Sequence, residues 1–231
     1  MALGLVLGGG GSRGAFQAGA LAALAAANVQ PAFVLGTSIG AINALATTKL
    51  APAELVQWWL TKIPRNMFWQ RQGEVPYANL LRELIARPKL RPWPVLALTA
   101  ALPGLHEHVV ELTSKTPAAQ LQWLLATSAI PYVYPKVNIN GVHYVDGGVV
   151  NDMPIDIAKD LGATHIVSIG AGGLGPTPKV TARLHLDVPS WAPNILDFRQ
   201  KPRPRLLLAG WQMAQKMIKS PEFQALQAKE P

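Results

Sequence analysis

The stretch FVLGTSIGAINA, residues 33–44, decides how this chain is read. An apolar run of strand length leads into Gly-Thr-Ser-Ile-Gly and then into small residues that suit a helix. Gly-x-Ser-x-Gly between a strand and a helix places its serine at the apex of a sharp turn, with the hydroxyl clear of the backbone and able to act as a nucleophile. Ser38 is that serine, and Gly36 and Gly40 relieve the crowding around it. The plain alternative is an ordinary strand-to-helix turn with Ser38 as N-cap. A nucleophile also needs a proton acceptor, and the five histidines, His106, His108, His143, His165 and His185, stand in no motif.

Upstream, residues 3–29 read LGLVLGGGGSRGAFQAGALAALAAANV: a buried strand, a glycine-rich turn and an Ala/Leu-rich helix over 14–27. Strand, turn and helix therefore occur twice within fifty residues, which predicts a parallel α/β sheet with both turns at its carboxyl edge. Gly9-x-Gly11-x-x-Gly14 matches a dinucleotide fingerprint in form. That reading needs an acidic ribose partner about twenty residues on, and the first acidic residue is Glu54. Four glycines at a helix start leave backbone N–H groups uncovered, and such an array suits an oxyanion as well as a phosphate.

The rest of the chain fills in one domain. At 231 residues and 49% hydrophobic, it can bury a large core, and layered α/β folds often run this long undivided. Residues 53–93 mix tryptophans with Lys and Arg and read as a cap or flap inserted over the sheet. VLALTA and HVVELT read as strands, and TPAAQLQWLLATSAI as a helix with Thr116 at its N-cap and Pro117 at its first position. Asn140-Gly141 between alternating apolar runs signals a type I′ hairpin, and Asp146-Gly147-Gly148 follows it. Taken alone, that Asp-Gly is a loop signal. A short helix over 154–161 capped by Gly162, a strand at THIVSIG, a Pro-rich stretch and a basic amphipathic helix over 205–219 complete the chain.

Several classes are set aside by composition. With no cysteine there is no disulfide framework, thiolate nucleophile or zinc–thiolate site, which fits a reducing compartment. The N-terminus has no basic n-region, its apolar run is short for a signal peptide, and Ala2 rules out myristoylation, so a cytoplasmic location is expected. The net charge of +8 permits attraction to nucleic acid or to an anionic membrane, but its placement matters more. Two basic, tryptophan-bearing segments carry most of it: residues 58–93, and the last helix with its neighbours Arg199, Lys201 and Arg203. Both are expected to dock peripherally on an anionic membrane surface, no nucleic acid is invoked, and the oligomeric state stays open. For the last helix, the alternative is that its apolar stripe packs on the sheet while the charges stay solvated.

The ordered set GGGSRG (residues 9–14), GTSIG (36–40), SAIPYVYP (128–135) and DGG with VVNDMPIDIAKDLGA (146–163) resembles the patatin-like phospholipase family, over roughly residues 3–170. The resemblance implies a three-layer α/β/α fold with a mainly parallel central sheet. It divides the chain into a catalytic domain over 1–170 and a C-terminal extension over 171–231. It further implies a Ser-Asp dyad without histidine: Ser38 as nucleophile, Asp146 as proton acceptor, and Gly9, Gly10 and Gly11 as oxyanion hole. Arg13, Gly14, Gly36, Gly40, Gly147 and Gly148 support these motifs. The expected activity is hydrolysis of a lipid or phospholipid carboxylic ester through an acyl-serine, without metal or cofactor. Two other readings are a catalytically weak lipid-binding or scaffolding member of the same fold, and a Ser-His-Asp esterase using His143 or His165.

Overall fold

The computed structural model describes residues 2–65, 75–177 and 179–227. The chain begins with β1 (Leu3–Leu7), α1 (Gly14–Ala26), β2 (Phe33–Thr37) and α2 (Ile39–Lys49), the two strand–turn–helix units expected from the motifs. α3 (Pro52–Thr61), α4 (Ala78–Ala86), β3 (Val95–Leu102), β4 (His106–Glu111) and α5 (Pro117–Thr127) follow. Then come β5 (Val137–Ile139), β6 (Val142–Asp146), α6 (Ile155–Asp160), β7 (His165–Ile169), β8 (Leu184–Leu186), α7 (Arg203–Ile218) and α8 (Pro221–Gln227). Every residue of β1 and β2 is buried, as continuous apolar runs in a sheet covered on both faces should be.

These strands form one eight-stranded sheet in the order β5-β6-β3-β2-β1-β7-β8, with β4 also on β3. β3, β2, β1, β7 and β8 run parallel, while β4 and β6 are antiparallel to β3. β3 has three partners and only two edges. β4 covers one edge along Leu96–Ala101, so β2 and β6 must share the other. On that shared edge Thr37 lies opposite Leu98, and Asp146 lies opposite the next residue, Thr99. β2 and β6 thus meet end to end, and the residue after Thr37 arrives beside Asp146. A contact 108 residues apart in sequence is set by the register of one strand.

The layers are lopsided. Leu3, Leu5 and Leu7 of β1 point into a core built with α1–α5, α7 and α8, whereas Val6, Phe33 and Leu35 face a small cluster closed by Met153, Ile155 and Ala158 around α6. Residues 53–93 contribute heavily to the larger core, with Trp58, Trp59 and Trp93 only 7%, 0% and 8% exposed. Buried indoles cannot sit among lipid headgroups, so membrane docking through these tryptophans is ruled out. Trp69 and Arg71, which belonged to the same expectation, lie outside the described residues.

The last helix is also built in. A Cβ on Gly19 of α1 would run into the carbonyl of Leu207, and one on Gly210 of α7 into that of Phe16, so the two helices cross with their backbones in contact. Leu206, Leu207, Ala214 and Met217 are buried along the same stripe. The apolar stripe packs inward and leaves Arg205, Lys216 and Lys219 in solvent, which removes this helix as an inserting element. At its start Arg203, 3% exposed, donates to the carbonyls of Trp59, Ile63, Pro64 and Phe198, joining the end of α3 to the segment before α7. β8 and α8 were not anticipated from sequence. β8 has only three residues, and the open edge of β7 supplies the pairing that makes it a strand. Among the described residues, no helix is long and apolar enough to cross a membrane.

Candidate active site

Ser38 sits between the end of β2 and the start of α2 with φ 55° and ψ −123°, a conformation that residues bearing a Cβ rarely adopt. Such a conformation costs roughly 1–3 kcal/mol and persists only where the surroundings over-determine it. Here the Ser38 N–H donates to Thr127 Oγ1 at 3.0 Å, and that hydroxyl donates to the Leu98 carbonyl at 2.5 Å. The Ser38 carbonyl accepts from Ala41 and Ile42 at the first turn of α2. The flanking glycines serve close approach. A Cβ at Gly36 would strike the backbone of Gly40 and Ala41, and one at Gly40 would strike the carbonyls of Leu7 and Gly8.

The Ser38 hydroxyl donates to Asp146 Oδ2 at 2.7 Å, and Asp146 Oδ1 accepts from the Gly148 N–H at 2.8 Å. Asp146 is held in place by its own N–H, which donates to the Ala129 carbonyl at 3.0 Å. Gly147 has to be glycine because a Cβ there would meet the Leu98 carbonyl. Ser38 and Asp146 are 7% and 5% exposed. Burial pushes the Asp146 carboxyl up to about 7; the hydrogen bonds from Ser38 and Gly148 oppose this, and the charge of Asp152 adds to it.

The glycine loop faces the same cavity, of about 340 Å³, which Ile130, Pro131, Val149 and Ile195 also line. Gly10 and Gly11 have φ of 151° and 54°, which only glycine adopts freely. The Gly9 N–H donates to the Asp152 carbonyl at 3.0 Å and the Ser12 N–H to Ile195 at 2.7 Å. Gly9 is therefore not a free donor, contrary to the sequence expectation. Among the described residues, the N–H groups of Gly10 and Gly11 have no protein acceptor. Arg13 braces the loop by donating to the carbonyls of Pro193 at 2.6 Å and Gly172 at 2.9 Å. Gly14 opens α1, where Ile39 and Trp59 leave no room for a side chain.

Sequence reasoning missed three contributors. Gln17, fully buried, donates to the carbonyls of Gly8 and Ile169; Asn43 donates to Gln17 and Gly14; and Trp59 donates to Asn43. This closed polar network fixes the base of the glycine loop against α2 and α3, and its members sit in sequence as ordinary helix residues. Asp152, 6% exposed, also lines the cavity. Its carboxyl is raised to about 6 by burial, against a hydrogen bond from Gly173 and with the charge of Asp187. The third is the segment around 193–195 that holds Ser12 and Arg13.

Four of the five histidines have other neighbours, and His106, on β4, lies opposite Ala101. His165 lies opposite Leu3, at the start of β1 and so at the far edge of the sheet from Ser38. His143 lies opposite Leu102, with Asn138 beside its ring. His108 stacks on Trp123 with ring centroids 5.1 Å apart, and His185 pairs with Ser168 at 2.8 Å. Among the described residues, no histidine forms a hydrogen bond with Ser38 or Asp146, so the Ser-His-Asp arrangement is not present. No group of three or more His, Asp or Glu side chains that could hold a metal occurs among them.

A mixed, mostly parallel α/β sheet with a serine on a strained strand-to-helix turn defines a broad class of α/β proteins. The match to known proteins narrows it: residues 5–159, about two thirds of the chain, fit the model of the patatin-like phospholipase family, and the chain belongs to that family. It is 29% identical over 184 residues to the patatin-like phospholipase domain-containing protein M110.7 of Caenorhabditis elegans, covering 74% of this chain and 17% of that one. It is 28% identical over 194 residues to neuropathy target esterase sws of Drosophila melanogaster, covering 76% and 13%. The chain thus spans less than a fifth of the length of these relatives. Its fold is similar to that of VipD from Legionella pneumophila, with a TM-score of 0.54 at 11% identity over 94% of this chain and 66% of that one.

Proposed function

We propose that this protein is a serine-dependent lipid acyl hydrolase that cleaves carboxylic esters with a two-residue unit, Ser38 and Asp146. The observation that carries this reading is the 2.7 Å hydrogen bond from the Ser38 hydroxyl to Asp146, made by a serine in a strained conformation inside a cavity. Asp146 takes the Ser38 proton as the serine oxygen attacks the ester carbonyl. An ordinary aspartate, with a pKa of about 4, is too weak a base for this step, and a carboxyl raised to about 7 is much better matched near neutral pH.

The negative charge that develops on the carbonyl oxygen falls to the free N–H groups of Gly10 and Gly11, in the turn that leads into α1. Collapse of the tetrahedral intermediate expels the alcohol, which takes the proton from Asp146, and leaves Ser38 acylated. Asp146 then accepts a proton from a water that attacks the acyl group, and Ser38 recovers its proton as the fatty acid leaves. Family membership and the esterase name of the Drosophila relative support a lipid ester as substrate.

The competing reading, a lipid-binding member without turnover, is separated by one comparison. Ser38→Ala abolishes hydrolysis of a soluble short-chain p-nitrophenyl ester while leaving the circular dichroism spectrum unchanged. Hydrolysis by wild type no faster than the uncatalysed reaction would leave only the binding reading, and equal catalysed rates for wild type and variant would remove Ser38 as the nucleophile.

A further inference from the structure

Among the exposed large hydrophobic side chains of the described residues, two stand well apart from the rest: Tyr132 at 107% and Leu174 at 85%, against 55% for Leu208 and 46% for Leu161. They come from loops more than forty residues apart, yet both border the same opening. Pro131, beside Tyr132, and Leu174 itself line the cavity that holds Ser38. Neither is a loose tip. The Ile130 carbonyl accepts from the N–H groups of Val133 and Tyr134, while Tyr134 packs edge-on against Tyr77 with centroids 5.5 Å apart. Tyr132 is thereby held outward at φ 66°, a strained conformation for a bulky residue. The loop of Leu174 is pinned by the Asp152 N–H donating to the Pro176 carbonyl at 2.7 Å, and by Gly175 lying against the backbone of Gly148.

We infer that Tyr132 and Leu174 dock this protein, cavity mouth first, on the surface of an anionic phospholipid bilayer. The inference rests on the reading of Ser38 as the nucleophile of a lipid acyl hydrolase. Two rigidly held apolar tips beside the opening would enter the interface, and a phenol suits the headgroup level. The charge agrees. Lys136 and Lys179 are exposed, and the sequence has no Asp or Glu from 128 to 145 or from 161 to 186. A protein seated on these tips would close the cavity, whereas a bilayer delivers its ester through the same contact. Docking thus belongs to the mouth, away from the buried tryptophans and the α7 stripe.

The chain has no cysteine, so Tyr132→Cys or Leu174→Cys, each made on the Ser38→Ala protein, carries a single polarity-sensitive fluorophore. With phosphatidylcholine vesicles containing phosphatidylserine, both labels shift to the blue, and labels at Leu161→Cys and Leu208→Cys do not. Tyr132→Ser/Leu174→Ser in the same background lowers vesicle partitioning about tenfold or more. Partitioning of the parent falls as salt rises. Tyr132→Ser alone keeps wild-type turnover of a soluble short-chain ester. Labels at Leu161 and Leu208 shifting while the other two stay silent, undiminished binding by the double variant, or loss of a dimer on removing the tips would each overturn the proposal. Vesicle binding without any ester hydrolysis by wild type would defeat the hydrolase reading alone, and hydrolysis of the soluble ester without vesicle binding would defeat the docking alone.

Discussion

The first fifty residues and the last sixty shape the same cavity by opposite means. The N-terminal part does it through two motifs: a glycine-rich turn and Gly-x-Ser-x-Gly each leave a strand and start a helix, and Gly36 and Gly40 are required by contacts within their own turn or with the end of β1, whereas Gly10 and Gly11 lie against the carbonyls of Ala171 and Ile195. The C-terminal part has no motif. It acts through carbonyl oxygens that receive Ser12 and Arg13 at 193–195, through Gly210 against α1, and through Arg203 gathering four carbonyls. A candidate active site can therefore be readable from short stretches while part of its support comes from chain with no signature.

That contrast can be broken or sharpened by mutation. The largest effect is expected at the dyad. Asp146→Asn leaves Ser38 without a base and lowers turnover by about 10⁴-fold, comparable to Ser38→Ala, with the double variant hardly worse than either single one, because members of one catalytic unit are not additive. Multiplying losses in steady-state kinetics would show that the two residues act separately.

Arg203→Met should come next, and on stability rather than chemistry. It leaves the carbonyls of Trp59, Ile63, Pro64 and Phe198 without their donor, and denaturant unfolding should show a loss of about 3 kcal/mol. The fraction that stays folded should turn over ester at the wild-type rate. An unchanged unfolding midpoint would mean that the C-terminal part is dispensable.

The smallest effect concerns Asp152. Its charge helps hold the proton on Asp146, so Asp152→Asn moves the midpoint of the rising pH–rate profile to lower pH. The raised carboxyl at Asp146 has a stability counterpart. Below its ordinary value of 3.8 the group is protonated in folded and unfolded chains alike, and its contribution is fully present. As pH rises toward about 7 the unfolded chain has released the proton that the folded chain still holds, and the contribution is lost. Asp146→Asn should therefore gain in melting temperature relative to wild type at pH 8 compared with pH 5. A difference that is flat with pH would contradict burial as the cause.

What was legible in the sequence follows the same division. The helix beginning at Pro117 and the Asn140-Gly141 hairpin are local events with local chemistry: Thr116 accepts from the Ala119 N–H, and the two hairpin residues take φ of 52° and 85°. The pairing of Ser38 with Asp146 was reachable only through the family resemblance, because the register that joins them belongs to β3, a strand with no chemistry of its own. Gly9 was placed among the oxyanion donors because four glycines look alike in sequence; only the fold shows which N–H groups face a carbonyl. Asp152 and the Gln17–Asn43–Trp59 network went unread because their burial arises from contacts between distant segments. The tryptophans of 58–93 were read by their type, whereas packing had already placed three of them inside.

The central claim, that Ser38 is activated by a buried carboxylate and by no histidine, is tested most directly by the pH dependence of covalent labelling. A fluorophosphonate ester probe forms a stable adduct with an activated serine, and the labelling rate and the modified peptide can be followed by mass spectrometry. The account predicts a single adduct on Ser38, with a rate that rises through about pH 7 as Asp146 ionises, is nearly abolished in Asp146→Asn and is unchanged in His143→Asn and His165→Asn. Labelling that persists in Asp146→Asn, or that disappears with either histidine, would contradict it.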